Sequence, residues 1–302
     1  MNLGGALLSF LIFPGLLYGA AAGWLMLWVE RKLRARMQGR IGPPFYQPFF
    51  DFVKLMAKDP VRRSPLEALL MTGLPMLSAG ALLVALALLP VFPASGGFAG
   101  DLVLLVALLE VPALCGVLAG FASRSIFGQV GASREAVLSV VSNIPFLTAM
   151  VALASAAKSI RLADIVLVPS GGVRVLALAA VFLCLPVKLR LNPFSLVNAE
   201  QEIYAGPLTE YSGPRLALWE FAHALEWAAL TGLAACLATP SRTGRALVDV
   251  ILFAAFSLLL AVILTVLAAG TARLKVAQAG RFYWRWGMAI SVLALLLAVW
   301  PR

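Results

Sequence analysis

One histidine and three cysteines are all the imidazole and thiol ligands that this 302-residue chain offers a metal ion. Cys115, Cys184 and Cys236 stand far apart inside apolar stretches, without the close Cys or His spacing of a zinc or iron–sulfur site. They read as core thiols, so no metal and no cluster is expected on this chain. Charge is also scarce, at 13% of residues, and no separate soluble domain stands out. No Walker A sequence, no Rossmann glycine pattern after a strand and no nucleophile elbow occurs, which argues against a nucleotide site or a serine hydrolase. What is abundant is apolar surface: 62% of residues are hydrophobic, more than a soluble core of this size needs. The chain therefore reads as an all-α, polytopic integral membrane protein, a single membrane domain over 1–302.

A bilayer crossing takes about 20 mostly apolar residues, and eight candidates are present, at roughly 4–29, 66–90, 101–122, 136–157, 174–187, 216–239, 246–269 and 284–300. The first has no basic residue ahead of it and is too long for a signal-peptide core, so it is expected to be retained. The fifth is short, with Pro186 and Lys188 near its close, as in a tilted or broken helix. Of the 24 Lys and Arg residues, all but Lys158, Arg161, Arg174, Arg242, Arg245 and Arg302 fall in or beside the odd-numbered connections, at about 30–65, 123–135, 188–215 and 270–283. The positive-inside rule puts those connections in the cytoplasm and both termini outside, and eight spans preserve that asymmetry. The net charge of +10 is thus accounted for by topology and anionic lipid, and no nucleic acid is expected.

Within the first connection, Phe45, Phe49, Phe52, Val53 and Met56 recur near a helical period with Asp51, Lys54 and Lys58 interleaved. This predicts a short helix lying along the interface, its approach set by Pro43 and Pro44.

A charge at the bilayer centre costs about 2.5–3.5 kcal/mol, so an acid inside a span normally faces protein or water. Glu110, Glu220 and Glu226 meet that description. Pro112 follows Glu110 and loosens its helix locally. Glu220, His223 and Glu226 are spaced three apart and can share a face, with Glu220 and His223 expected within hydrogen-bond reach. Such a cluster can relay protons; a structural network between helices is the alternative.

The fifth connection holds Glu200, Glu202 and Glu210 among Gly and Pro, a built loop rather than a linker. In the third, Ser133 is expected to cap a helix with Glu135 in its first turn; the equal alternative is that Arg134 and Glu135 are interface anchors, and spacing alone does not separate the two. From the residues alone, a transporter and a coupling subunit both remain open.

At these loops the chain resembles the NuoH family, the membrane component that anchors the peripheral arm of complex I, and its homologues in group 4 energy-converting nickel–iron hydrogenases and formate hydrogenlyases. The residues that carry the resemblance are Glu30-Arg31-Lys32, the segment from Arg40 through Pro43-Pro44 and Gln47-Pro48 to Asp51 and Lys54-Leu55, Ser133-Arg134-Glu135, Ala199-Glu200-Gln201-Glu202, and Glu210-Tyr211-Ser212-Gly213. The run from Gly42 to Gln47 is compact as in the hydrogenase branch, whereas the complex I members usually carry extra residues there. Pro193-Phe194-Ser195 departs from the family's frequent Pro-Phe-Asp, so no proton role is carried over to Ser195.

The resemblance implies a membrane anchoring and coupling subunit of a redox-driven ion-pumping complex in the inner (cytoplasmic) membrane of a prokaryote. Its partners would be hydrogenase-like large and small subunits carrying iron–sulfur clusters and nickel–iron, together with antiporter-like membrane subunits. Glu30, Arg31, Lys32, Arg40, Asp51, Lys54 and Arg134 would form the docking surface. Glu200, Glu202, Glu210 and Glu135 would begin a proton or ion path that Glu110, Glu220, His223 and Glu226 continue. The alternative is the quinone-chamber subunit of NADH-quinone oxidoreductase. No chemical step is expected of this chain itself.

Overall fold

The structure is a computed structural model that describes residues 10–61, 64–91, 101–123, 125–169, 171–197, 202, 206–239 and 245–300. Glu200 lies outside the described residues. Among those described there is no strand.

Six helices are long and apolar enough to cross a membrane: Pro65–Leu88, Asp101–Ala122, Ile126–Ala157, Pro214–Ala238, Leu247–Gly270 and Val276–Val299. Two further apolar helices accompany them. Helix α1 (Leu16–Met37) is apolar only as far as Val29 before its charged end. Helix α7 (Gly172–Lys188) has 17 residues and matches the short fifth candidate. Between these lie α2 (Gln47–Met56), α3 (Pro65–Leu88), α4 (Asp101–Ala122), α5 (Ile126–Ala157) and the five-residue α6 (Leu162–Val166). After α7 come α8 (Pro214–Ala238), α9 (Ala246–Gly270) and α10 (Val276–Phe282), which passes through a π-helical turn into α11 (Met288–Val299).

Helix α8 is the axis of the fold. It is apolar nearly all round, and a helix of that kind is stable only when enclosed; α1, α3, α9 and α2 pack on it, with α7 and α4 beside them. Contact with α1 depends on Gly23, where an added Cβ would stand 2.1 Å from the Ala224 carbonyl oxygen. Of the acids and the histidine on α8, Glu226 is thereby buried and His223 partly enclosed, while Glu220 stays partly exposed.

Helix α2 forms where the aromatic periodicity of the first connection predicts a short helix. Pro48 occupies its first turn, where a missing N–H costs nothing. Phe49, Phe50, Val53 and Met56 face outward, while Trp24 of α1 packs edge-on against Phe49 with ring centres 5.2 Å apart.

One boundary differs from expectation. Ser133 does not cap a helix: α5 begins at Ile126, and the Ser133 hydroxyl donates to the Val130 carbonyl at 2.9 Å within it. Apolarity alone marked the start of the span at residue 136, but the helix continues outward through a polar stretch. Gly131 lets it approach the loop closely, since a Cβ there would meet Pro207 Cδ at 2.7 Å. Glu135 is consequently not a first-turn residue but a buried one.

Candidate functional site

The interior site is built around Arg190, two residues beyond the end of α7. Its guanidinium reaches Glu226 Oε2 of α8 at 3.0 Å through Nη1 and Glu135 Oε1 of α5 at 3.2 Å through Nη2. Both carboxylates are more than nine-tenths buried. His223 Nδ1 lies 3.2 Å from the same Glu226 oxygen, and Trp227 Nε1 donates to His223 Nε2 at 3.3 Å.

The expected Glu220–His223 pair is therefore corrected: His223 turns to Glu226, and Glu220 instead faces Arg31 of α1 at 4.0 Å. Spacing on the helix allowed either neighbour. The cations decide it, because Arg31 stands on the outer side of α8 and Arg190 on the inner.

Two ionised carboxylates around one guanidinium leave the cluster one negative charge in excess. In a low-dielectric interior such a charge is costly. A proton taken up by either acid or by His223 cancels it, so the arrangement suits reversible protonation.

A second cluster lies beside the first. Lys188 at the end of α7 pairs with Glu110 of α4, and Asn143 of α5 closes the ring, donating to Glu110 Oε2 at 2.6 Å and accepting from Lys188 Nζ at 2.8 Å. Lys188 also sits 4.6 Å over the Phe146 ring. A small cavity touches Glu110, Lys188 and Asn143 on one side and Glu135 and Glu226 on the other. The two clusters are neighbours rather than separate sites.

At the loop that follows α7, Arg134 Nη1 contacts Glu202 Oε2 at 2.6 Å. The hydrogen bond and charge of Arg134, helped by Arg273, hold the Glu202 carboxyl below the ordinary carboxylate range. Adjacent residues of α5 thus face opposite ways, Arg134 to the acidic loop and Glu135 to Arg190. Glu210 belongs to the same loop, one residue before the buried Tyr211.

On the other flank, Arg31 binds Asp51 Oδ2 at 2.7 Å and Gln47 donates to Asp51 Oδ1 at 2.7 Å, fixing α2 to α1. Glu30 is held by Arg34 on its own helix, and Arg40 and Lys54 are exposed. Of the residues expected at a docking surface, Arg31 and Asp51 are brought together with Lys54 around a vestibule of about 280 Å³. Lys32 and Arg40 lie outside its lining.

Between vestibule and cluster is an inner chamber of about 90 Å³, lined by Glu135, Arg190, Glu226, His223, Trp219 and Ser78 among others. Glu220 lines both spaces. Among the described residues no group of three or more His, Cys, Asp and Glu is placed to hold a metal ion.

Sequence reading missed Lys188, Arg190 and Asn143. Both cations were counted as loop charges, and their proximity to acids 78 and 55 positions away leaves no local signal.

Comparison with known proteins agrees with this frame. Residues 9–299 match the NADH dehydrogenase family. Hydrogenase-4 component C of Escherichia coli (strain K12) is 32% identical over 225 residues, which is 72% of this chain and 70% of that protein. The NuoH-type subunit of the NADH-quinone oxidoreductase of Dehalococcoides mccartyi is 26% identical over 286 residues, 90% of this chain and 80% of that one. Among solved structures, a chain of the membrane-bound sulfane sulfur reductase, an archaeal respiratory membrane complex, superimposes with a TM-score of 0.88 at 25% identity, covering 97% of this chain and 99% of that chain.

Proposed function

The chain belongs to the NADH dehydrogenase family, as a membrane subunit of complex I-like complexes, and from that premise we propose that it anchors and couples a hydrogenase-type, redox-driven ion pump. The observation that carries this is the Glu135–Arg190–Glu226 cluster. It lies one residue along α5 from Arg134, which holds the acidic loop through Glu202.

A cluster-bearing arm docked over Arg31, Asp51, Lys54 and the acidic loop changes charge as electrons arrive. A shift of Glu202 is felt by Arg134 and hence by the next residue, Glu135. Protons then pass by way of Glu226 and His223 toward Glu110 and Lys188, and on to antiporter-like partner subunits. Glu200 and Glu210 extend the acidic loop, while Glu220 faces the vestibule. The chain works as one membrane unit of eight spans with both termini outside, in the inner (cytoplasmic) membrane of a prokaryote. Iron–sulfur and nickel–iron centres would be supplied by hydrogenase-like large and small subunits.

The second reading is a quinone-chamber subunit of NADH-quinone oxidoreductase, favoured by the 26% identity to the Dehalococcoides mccartyi protein, in a match that spans 90% of this chain. Purification of the intact complex through a tag on this chain separates the two. Hydrogenase-like partners and ion uptake into vesicles driven by hydrogen turnover are expected. A complex that oxidises NADH with quinone and evolves no hydrogen would overturn the hydrogenase reading.

A further inference from the structure

The last span is interrupted, where α10 passes into α11, by one π-helical turn, Tyr283–Gly287. Such turns are rare and frequently mark functional sites. Both of its ends are anchored inside: the Tyr283 hydroxyl donates to the Leu183 carbonyl of α7 at 2.7 Å, and a Cβ on Gly287 would meet Pro145 of α5 at 3.3 Å. The three residues between these anchors, Trp284, Arg285 and Trp286, all face outward. Each indole is 62% exposed.

Arg281, one turn before Arg285, is exposed as well. Its Nε donates to the Ala277 carbonyl at 3.4 Å, which leaves the terminal nitrogens of the guanidinium to other partners. Arg31, Arg34, Arg134, Lys188 and Arg190 each meet a carboxylate, but among the described residues none pairs with Arg281 or Arg285. Gly280, next to Arg281, has nothing within 4 Å of an added Cβ, so there is room beside the guanidinium for a further group.

An apolar face within a membrane meets either lipid or a helix of another subunit, and here the residues favour lipid. Packed transmembrane helices approach each other through small residues. On α11 the small Ser291 and Ala294 are buried, while Leu293, Leu296, Leu297 and Val299 face outward. Trp300, 74% exposed, closes the far end, about 24 Å from Trp284 at 1.5 Å per residue. Indoles thus stand at both ends of the apolar stretch, as in the aromatic belts of the two membrane–water interfaces. A guanidinium at that level is placed to bind phosphate, which accepts two parallel N–H bonds from it.

We propose that Arg281 and Arg285, framed by Trp284 and Trp286, bind the headgroup of an anionic phospholipid. The two guanidiniums take the phosphate, the indoles cover the glycerol region, and the acyl chains run along the outward face of α11. This side of the subunit is accordingly a bilayer edge of the complex and not a seat for another subunit. The site is independent of the coupling role proposed above.

The test puts p-benzoylphenylalanine in place of Trp286 in the assembled complex, reconstituted in vesicles of equal phosphatidylglycerol and phosphatidylcholine, and identifies the photo-adducts by mass spectrometry. Phosphatidylglycerol adducts are expected to exceed phosphatidylcholine adducts several-fold. Arg281→Gln with Arg285→Gln is expected to bring the two to parity without loss of assembled complex, since both side chains are exposed. Arg281→Lys with Arg285→Lys is expected to keep most of the preference. Adducts in proportion to the vesicle composition, a preference that survives the double Gln variant, or crosslinks to another subunit would overturn the proposal.

Discussion

Arg190 Nη1 stands 3.0 Å from Glu226 Oε2, joining the end of α7 to the middle of α8, while Nη2 of the same guanidinium holds Glu135 of α5. Three helices therefore meet on one cation. Arg190→Met would leave two carboxylates buried without a counter-charge, and removing one partner of a buried ionic group typically costs about 3–5 kcal/mol. The expected outcome is a marked loss of assembled complex in membranes and a lowered Tm for what remains. Arg190→Lys keeps the charge but reaches only one carboxylate well, so a smaller loss is expected.

Glu226→Gln preserves the shape of the cluster and removes its excess negative charge. Assembly should survive, because Arg190 keeps Glu135 and His223 keeps an amide oxygen. Ion uptake per electron should fall by about tenfold or more, equivalent to roughly 1.4 kcal/mol on the transfer step. Reconstituted vesicles that pump at the native rate would remove Glu226 from the path.

Hydropathy and charge counts made the helical membrane frame legible, as did the aromatic period for the short helix from Gln47, because all of these depend on local periodicity. The acids inside the membrane were legible for the same reason: a charge among apolar residues is conspicuous. Their partners were not. Lys188 and Arg190 sit where a topology-setting loop cation is expected, and only the packing of α7 against α5, α11 and α8 turns them inward. His223 lies three residues from both Glu220 and Glu226, so the choice between them depended on cations elsewhere in the fold. The helical start at Ile126 escaped notice because its first turns mix Gly128, Gln129, Gly131 and Ser133 with exposed Ile126, Phe127 and Val130, so no continuous apolar run marks them.

The Arg134–Glu202 pair gives a pH dependence with a definite sign. Arg134 depresses the Glu202 pKa in the folded state, so the pair favours the attached loop above the ordinary glutamate value of about 4.3 and is lost as pH falls through the depressed value. Glu202 is solvent-exposed, so salt should weaken the pair as well. Protection of residues 206–210 against hydrogen exchange in the assembled complex, after correction for the intrinsic pH dependence of amide exchange, should fall on acidification below the ordinary glutamate range and in high salt. Glu202→Gln should show the faster exchange at neutral pH together with slowed turnover; native-like exchange in that variant would show that the pair does not hold the loop.

Gly23 is expected to be intolerant for a purely steric reason. An alanine there would place Cβ 2.1 Å from the oxygen and 2.5 Å from the carbon of the Ala224 carbonyl, both backbone atoms of the central helix. Neither can move without parting α1 from α8, so Gly23→Ala should sharply reduce the yield of folded chain. Gly80→Ala on α3, where nothing stands within 4 Å of the added carbon, is the control. It should be neutral or raise stability by up to about 1 kcal/mol through helix propensity alone.

Glu110 and Lys188 supply a test of whether the second cluster is a structural tie or part of the path. Lys188→Met strands Glu110 in a largely buried place and should destabilise strongly. Glu110→Gln with Lys188→Met removes both charges and leaves Asn143 to bond the amide, so the double variant should regain much of the lost stability, since replacing both members of a buried pair is often nearly neutral. If the pair only ties α4 to α7, the stable double variant will also pump. If protons pass through Glu110, it will assemble and turn over without ion uptake, and that separation of stability from pumping is the result expected here.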